Sequence, residues 1–223
     1  MFNTKRILVI CGDFYHSKEV IKRGLGSFLF EPEEYEIDYM VDAKASLTLE
    51  MLETYDLTMI CKGNHVAPHD QGPWLEEGVT EVNAKEFEEY VRKGKGLMII
   101  HAGLFFDKKS NTDYVELVGG IFVTHPQRCD VEIKVTSKHP IMNGVEDFMI
   151  RDEHYEIELC GENEGILFYT HSGVGGVQVG GYTKSIGTGR ICVLTPGHIV
   201  EVWQNPMFQK LVSNSMEWCM NID

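Results

Sequence analysis

The sequence has no closely spaced pair of cysteines. Its six cysteines stand singly, at positions 11, 61, 129, 160, 192 and 219. This spacing argues against a disulfide framework and against a cysteine-based zinc site. Cys11, Cys61 and Cys192 lie within or at the end of apolar runs, where a reduced thiol behaves as a small apolar group. We therefore expect reduced cysteines and a cytoplasmic protein.

The sequence also lacks a long apolar run and an excess of basic residues. Residues 7–11 are too few for the apolar region of a signal peptide, and no stretch approaches the length of a membrane-spanning helix. Lys and Arg number 20 against 34 Asp and Glu, which gives a net charge of −14. So acidic a chain is a poor partner for nucleic acid or an anionic membrane. We expect neither partner, although an acidic surface would attract a cation.

Short apolar runs alternate with helical patterns over the first hundred residues. Residues 5–11, 56–61 and 96–100 have the pattern of buried strands, residues 35–41 that of a half-exposed strand, and residues 17–29 that of an amphipathic helix. This βαβαβ order predicts an α/β fold with a parallel sheet and right-handed crossovers. Further strands are predicted at 130–136, 166–170, 177–182 and 189–194, before a final helix that starts at Asn205-Pro206. Because no repeat or linker interrupts the pattern, we expect residues 1–223 to form one domain.

Three histidines follow predicted parallel strands, directly or after a short loop. His101 comes immediately after the apolar run of residues 97–100, and His16 and His198 follow two other strands. In open α/β sheets the ligand crevice lies outside the carboxyl ends of the strands. We therefore expect these imidazoles to meet in one pocket, joined by Asp152 or Glu153 from the segment DEHY.

The residue types in this group suit a metal. Two or three imidazoles with one carboxylate form the usual ligand set of catalytic zinc. We predict that His16, His101, His198 and Glu153 bind zinc or another divalent ion, which would polarise a sugar carbonyl or activate water. A metal-free alternative uses His101 and His198 as general acid and base, with Glu153 beside them, and a purely structural cluster is the third possibility. The glycines at 173–176 lack the GK[ST] of a phosphate loop and a following helix, so no nucleotide cofactor is expected.

Other residues are candidates for substrate binding. Asp13 is expected to orient His16 and, with His16 and His125, to lie at the substrate. Trp203 comes five residues after the last of the three histidines, and we expect its ring to stack on a sugar. The loop at 62–78 is rich in proline and glycine. It is either a substrate lid or a solvated connection.

The sequence resembles the ThuA-like (trehalose utilisation) family of the class I glutamine amidotransferase-like superfold. Four segments carry the resemblance: YVRKGKGLMIIHAG (90–103), VGGIFVTHP (118–126), KHPIMNGVEDFMIRDEHY (138–155) and GRICVLTPGHIVEVWQNPMFQKLVSNSMEW (189–218). The match spans nearly the whole chain and is weakest at 62–78 and 161–182. It implies a flavodoxin-like three-layer sandwich with a mostly parallel central sheet.

The resemblance also carries implications for activity. In class I amidotransferases the strand corresponding to residues 97–100 leads to a Cys-x-Gly nucleophile, whereas this chain has His101-Ala102-Gly103. Imidazole does not simply replace a thiolate nucleophile, so glutaminase activity is not expected. The catalytic histidine of those enzymes corresponds to His198. The resemblance implies an enzyme of disaccharide or oxidised (3-keto) sugar catabolism, as an isomerase, lyase or hydrolase.

The alternative is a non-catalytic sugar- or metal-binding protein on the same fold. In either case we expect a small sugar as the ligand, and assembly into a homo-oligomer.

Overall fold

The structure is a computed structural model that describes residues 4–13, 15–29, 34–41, 47–63, 83–106, 112–161 and 165–222. Most of the predicted loop at 62–78 lies outside the described residues, so the lid hypothesis stays a prediction. The one-domain organisation of residues 1–223 also stays a prediction. Among the described helices, none combines the length and apolar character that crossing a bilayer requires.

Seventeen α-helices and β-strands are described. The first half of the chain forms β1 (Lys5–Ile10), α1 (Lys18–Leu25), β2 (Tyr35–Met40), α2 (Leu49–Leu52), β3 (Leu57–Ile60), α3 (Ala84–Arg92), β4 (Gly96–Ile100) and α4 (Thr112–Val118). The second half forms β5 (Gly120–Thr124), β6 (Cys129–Val135), β7 (Phe148–Asp152), β8 (Glu156–Leu159), β9 (Gly165–Ser172), β10 (Gly176–Ile186), β11 (Gly189–Leu194), α5 (Val200–Trp203) and α6 (Pro206–Cys219).

Nine strands form one sheet in the order β2-β1-β3-β4-β11-β10-β9-β6-β7. The first five strands are mutually parallel and have the 2-1-3-4-5 order of flavodoxin-like folds. The other four pairings are antiparallel and extend the sheet on one side. The predicted flavodoxin-like α/β class is therefore confirmed. The strands β5 and β8 pair in a separate small sheet that the sequence patterns did not predict.

The core lies on both faces of the sheet, as a three-layer sandwich requires. Along β4, Leu97 and Ile99 pack into one apolar cluster, whereas Met98 and Ile100 pack into the other. All four side chains are fully buried, because a central parallel strand is covered by helices on both sides. β4 thus carries its last residue, and the turn that follows it, into the interior of the molecule.

Helix caps fix where the surrounding helices begin. The side chain of Ser17 accepts a hydrogen bond from the backbone N–H of Glu19 at the start of α1. Asn205 accepts from the N–H groups of Met207 and Phe208 at the start of α6, and Pro206 occupies the first turn. Both helix starts agree with the sequence pattern.

The turn after β4 packs so tightly that it requires glycine. A Cβ atom on Gly103 would lie 2.4 Å from the carbonyl oxygen of Ile60 and 2.9 Å from Cγ2 of Ile99. We expect Gly103→Ala to lower the free energy of unfolding by about 1–3 kcal/mol, because backbone must move to admit the methyl group. Gly165→Ala is the matched control, since a Cβ there meets nothing within 4 Å. Urea denaturation of both variants checks this, and equal stabilities would contradict it.

Candidate active site

Four side chains from distant parts of the chain meet beyond the carboxyl ends of the parallel strands. His16 lies in the loop after β1, His101 directly after β4, His198 after β11, and Glu153 directly after β7. One ligand atom from each residue lies within 4.8 Å of the others. The structure therefore brings together the residues that the sequence placed in one pocket.

The distances within this cluster suit a tetrahedral ion. Nε2 of His101 lies 3.2 Å from Nδ1 of His198. Oε2 of Glu153 lies 3.4 Å from Nε2 of His101 and 3.3 Å from Nδ1 of His198. Zinc bonds of about 2.0–2.1 Å at tetrahedral angles separate ligand atoms by about 3.3 Å. The three atoms thus have the spacing of three corners of a zinc coordination sphere.

His101 sits in a strained backbone conformation, with φ at 49°. Positive φ is uncommon for a residue other than glycine, and such strain concentrates at functional sites. Its Nδ1 lies 2.8 Å from the carbonyl oxygen of Thr195. A carbonyl only accepts, so this pairing assigns the hydrogen to Nδ1 and directs the lone pair of Nε2 into the cluster. Burial lowers the pKa of His101 to about 4, so the ring is neutral at pH 7.

His16 is held in the same way by Asp13. Nδ1 of His16 lies 2.8 Å from Oδ1 of Asp13, so the hydrogen is on Nδ1 and Nε2 keeps its lone pair. That Nε2 atom is buried and has no hydrogen-bond partner among the described residues. The ring centroid lies 5.1 Å from that of His101 and 5.0 Å from that of His198. His16 therefore offers the cluster a buried lone pair that nothing in the described protein satisfies.

Asp13 is occupied by protein donors. Its carboxylate accepts from the backbone N–H groups of Tyr15, His16 and Gly63 in addition to the imidazole. Burial raises the pKa of Asp13, but the hydrogen bonds from His16 and Gly63 outweigh this and keep it below its usual value. The predicted role in orienting His16 agrees with this position, whereas direct substrate contact does not.

Adjacent carboxylates at the end of β7, Asp152 and Glu153, have different surroundings. Glu153 faces the histidines. Burial raises its pKa, but the neighbouring imidazoles of His101 and His198 outweigh this effect and lower the pKa to about 2. Asp152 is fully buried and accepts from the backbone N–H groups of Gly197 (2.8 Å) and His198 (3.3 Å). Burial raises the pKa of Asp152 to about 7, although these backbone hydrogen bonds oppose the shift. Asp152 thus fixes the loop that presents His198.

A cavity of about 370 Å³ opens beside the cluster. It is lined by Tyr15, His16, Phe105, Phe122, His125, Glu153, Tyr155 and His198. This is near the lower end of the volumes that small-molecule sites have. The lining combines four aromatic rings with three imidazoles and a carboxylate, so the cavity suits a ligand that has both apolar and polar surface.

His125 lies at the mouth of this cavity, and its side chain is one-third exposed. Its Nδ1 lies 2.8 Å from the carbonyl oxygen of Pro126, which again assigns the hydrogen to Nδ1. Nε2 lies 3.6 Å from Oε2 of Glu153. His125 therefore presents a basic nitrogen next to the cluster without being part of it.

The predicted sugar-stacking role of Trp203 is wrong. Its side chain is fully buried, its Nε1–H donates to the carbonyl oxygen of Gly197 at 2.8 Å, and its ring packs edge-on against Phe208. A ring without exposed surface cannot stack on a ligand. α5 turns this side chain towards α1, where a Cβ on Gly24 would lie 2.5 Å from Cβ of Trp203.

The aromatic residues that line the cavity were not predicted from the sequence. Phe105 and Phe122 carry no signal in the sequence that separates a cavity wall from a core position. Tyr155 does carry one, because it lies two residues after Glu153 and side chains two apart in an extended segment share a face. Tyr15 could have been predicted as a lining residue because it is adjacent to His16 in the sequence.

Comparison with known families and structures agrees with this geometry. A family profile described as trehalose utilisation (ThuA) matches residues 6–219. The chain belongs to the ThuA family. The resemblance found in its sequence is therefore confirmed. Among curated protein sequences, none matches this ThuA chain.

Solved structures of the same fold include a ThuA-like protein from Parabacteroides merdae. It is 19% identical, with a TM-score of 0.75, and the match covers 98% of this chain and 90% of that one. A glutamine amidotransferase from Thermotoga maritima is 12% identical, with a TM-score of 0.64 and coverage of 98% and 99%. A β-galactosidase from Rahnella is 9% identical, with a TM-score of 0.61, and the match covers all of this chain but 32% of that one. At these identities the similarities establish the fold alone.

Proposed function

We propose that this ThuA family member is a metal-assisted acid–base enzyme that acts on an oxidised (keto) sugar or glycoside. One observation carries the proposal. Three imidazoles and one carboxylate place ligand atoms within 4.8 Å of one another, and the buried Nε2 of His16 has no other partner among the described residues. Such convergence of imidazoles and a carboxylate in a cavity wall is what a catalytic divalent ion requires.

The hydrogen bonding of the cluster supports a cation. Nε2 of His101 carries a lone pair and faces Nδ1 of His198 and the carboxylate of Glu153. A single proton on Nδ1 of His198 could satisfy only one of these acceptors. A divalent ion held by His101, His198 and Glu153, with His16 as a further donor, would satisfy all of them. When bound, such an ion polarises a carbonyl oxygen and acidifies water.

The remaining residues supply binding and proton transfer. His125 keeps a lone pair on Nε2 at the cavity mouth, where it can take a proton from the carbon beside a ketone. Glu153 lies against that nitrogen and stabilises the imidazolium that forms. The aromatic rings of Tyr15 and Phe105 offer surface for the apolar face of a sugar.

The description of the family as trehalose utilisation favours a carbohydrate as the substrate. The β-galactosidase that shares the fold over about one-third of its length is also a carbohydrate enzyme by name. Removal of the proton beside a ketone gives an enediol, which leads either to isomerisation or to elimination. The cytoplasmic location and the homo-oligomeric state stay predictions.

Proton exchange tests this proposal directly. We expect the purified protein to catalyse deuterium incorporation beside the ketone of a 3-keto glucoside in D2O, followed by NMR. Exchange should fall by about 100-fold or more after treatment with dipicolinate and return when zinc is added, because the metal supplies several kcal/mol of charge stabilisation.

Two outcomes would contradict the proposal in different ways. Exchange that is indifferent to the chelator favours the metal-free alternative, in which His101 and His198 share a proton and act as acid and base. A protein that binds the keto sugar but never exchanges its proton supports the non-catalytic binding alternative.

A further inference from the structure

Tyr155 faces the cavity because of its place in an extended segment. Residues 153–155 connect β7 to β8, and alternate side chains in extended chain point to opposite sides. Glu153 and Tyr155 both line the cavity. Their neighbours point away: Asp152 binds the backbone of Gly197, and His154 pairs with hydroxyl groups of the β9 strand. Tyr155 thus shares a face with a proposed metal ligand.

The ring of Tyr155 is held rigidly beside the cluster. It stacks on His101 with a centroid distance of 4.0 Å and an interplanar angle of 27°. It also lies nearly parallel to His125, at 5.7 Å and 24°, and packs against Phe122 at 4.5 Å. Only 3% of the residue is exposed. A ring fixed on three sides presents its hydroxyl group in one place.

That hydroxyl group differs from those of two other buried tyrosines. Tyr114 donates to the carbonyl oxygen of Gly103 at 2.9 Å, and Tyr182 donates to that of Val118 at 3.2 Å. No hydrogen bond joins the hydroxyl of Tyr155 to another residue in the described part of the chain, and the residue lines the cavity. Buried tyrosines ordinarily find a partner, so this donor is left for a ligand.

The position of this hydroxyl group suits a hydrogen-bond donor. Tyr155 lines the cavity together with Glu153 and His198, and its ring is stacked on His101. A donor held rigidly beside such a cluster is suited to an oxygen that gains negative charge during reaction.

We propose that Tyr155 is a catalytic residue whose hydroxyl donates a hydrogen bond to the substrate's carbonyl oxygen as that oxygen becomes an enediolate. This rests on the proposed function. The C–H bond beside the ketone breaks, and its proton passes to Nε2 of His125. Its electron pair forms the C=C bond, and the carbonyl π pair moves onto oxygen, where Tyr155 stabilises it. The neighbouring hydroxyl group then passes its proton to the enediolate oxygen, and His125 returns its proton to the former carbonyl carbon. The carbonyl group has thereby moved by one carbon, which completes an isomerisation.

Tyr155→Phe tests the role because it keeps the stacked ring and removes only the hydroxyl group. We expect the proton exchange rate at saturation to fall by about 100- to 1,000-fold, as for removal of one oxyanion donor, with KM and zinc content unchanged. Tyr182→Phe is the matched control, since it also removes a buried tyrosine hydroxyl but outside the cavity lining. Exchange by Tyr155→Phe within threefold of wild type would overturn the proposal.

A binding measurement separates this inference from the proposed function. Glycolohydroxamate resembles an enediolate, and we expect zinc-loaded Tyr155→Phe to bind it at least about tenfold more weakly than wild type by calorimetry, because one hydrogen bond to a charged oxygen is lost. Tyr182→Phe should bind it as wild type does. If no variant exchanges the proton of a keto sugar, the proposed function fails, and the hydroxamate result alone decides whether Tyr155 binds an oxyanion. The proposed role of Tyr155 would be overturned if wild type and Tyr155→Phe bound the hydroxamate with equal affinity, or if wild type did not bind it.

Discussion

Replacing His101 by alanine is expected to lower zinc affinity by more than 100-fold and to remove turnover with it. Mutating a group that only orients a metal ligand lowers metal affinity or activity by about 10- to 100-fold, so loss of a ligand itself should lower affinity by more than that. His101 donates the nitrogen that lies 3.2 Å from His198 and 3.4 Å from Glu153. Without it, both the carboxylate and the second imidazole lose a close neighbour in the cluster. Calorimetric titration with zinc gives the affinity, and proton exchange gives the turnover.

The backbone at this position calls for a second variant. Alanine is strained at a φ of 49°, so His101→Ala could also lose stability. Asparagine tolerates this conformation, and His101→Asn should fold normally while losing the imidazole. His171→Ala is a control that removes an imidazole from β9, outside the cavity lining. Wild-type zinc affinity in both His101 variants would contradict the proposed ligand set.

Replacing Trp203 by alanine is expected to lower the free energy of unfolding by about 3–5 kcal/mol, as for other large aromatic side chains removed from a core. The side chain is fully buried against Phe208, and its N–H satisfies the carbonyl oxygen of Gly197. Removing it leaves a cavity and an unpaired carbonyl group. Urea denaturation followed by circular dichroism measures the change.

Tyr15→Ala provides the contrast to this variant. Tyr15 lines the cavity and is 57% exposed, so its removal should leave stability nearly unchanged and raise KM for the sugar. Trp203→Ala should lose stability, whereas the molecules that remain folded should keep the wild-type KM for the sugar. A stable Trp203→Ala protein with weakened sugar binding would instead restore the stacking role that the sequence suggested.

The architecture could be predicted because its signals are local. The apolar runs at β1, β3 and β4 are long enough to mark buried strands, and caps such as Ser17 and Asn205 mark helix starts. The small β5–β8 sheet was not predicted because its strands are short and partly exposed. Pairing between such segments depends on tertiary contact more than on pattern.

The histidines of the site could be predicted because topology alone sends the ends of parallel strands to one edge. The positive φ of His101 could not, since no sequence pattern marks this conformation at a residue other than glycine. Phe122 looks the same in sequence whether it lines a cavity or fills a core. Trp203 was misjudged because nearness to His198 along the chain does not tell which side of a short helix faces the ligand.

Crystals grown with zinc and measured at the zinc absorption edge would test the central claim most directly. The account predicts one anomalous peak within about 2.0–2.2 Å of Nε2 of His101, Nδ1 of His198 and an oxygen of Glu153. The proposed metal site would be contradicted if zinc-saturated crystals showed no anomalous peak at that position and the two imidazoles were joined by a direct hydrogen bond.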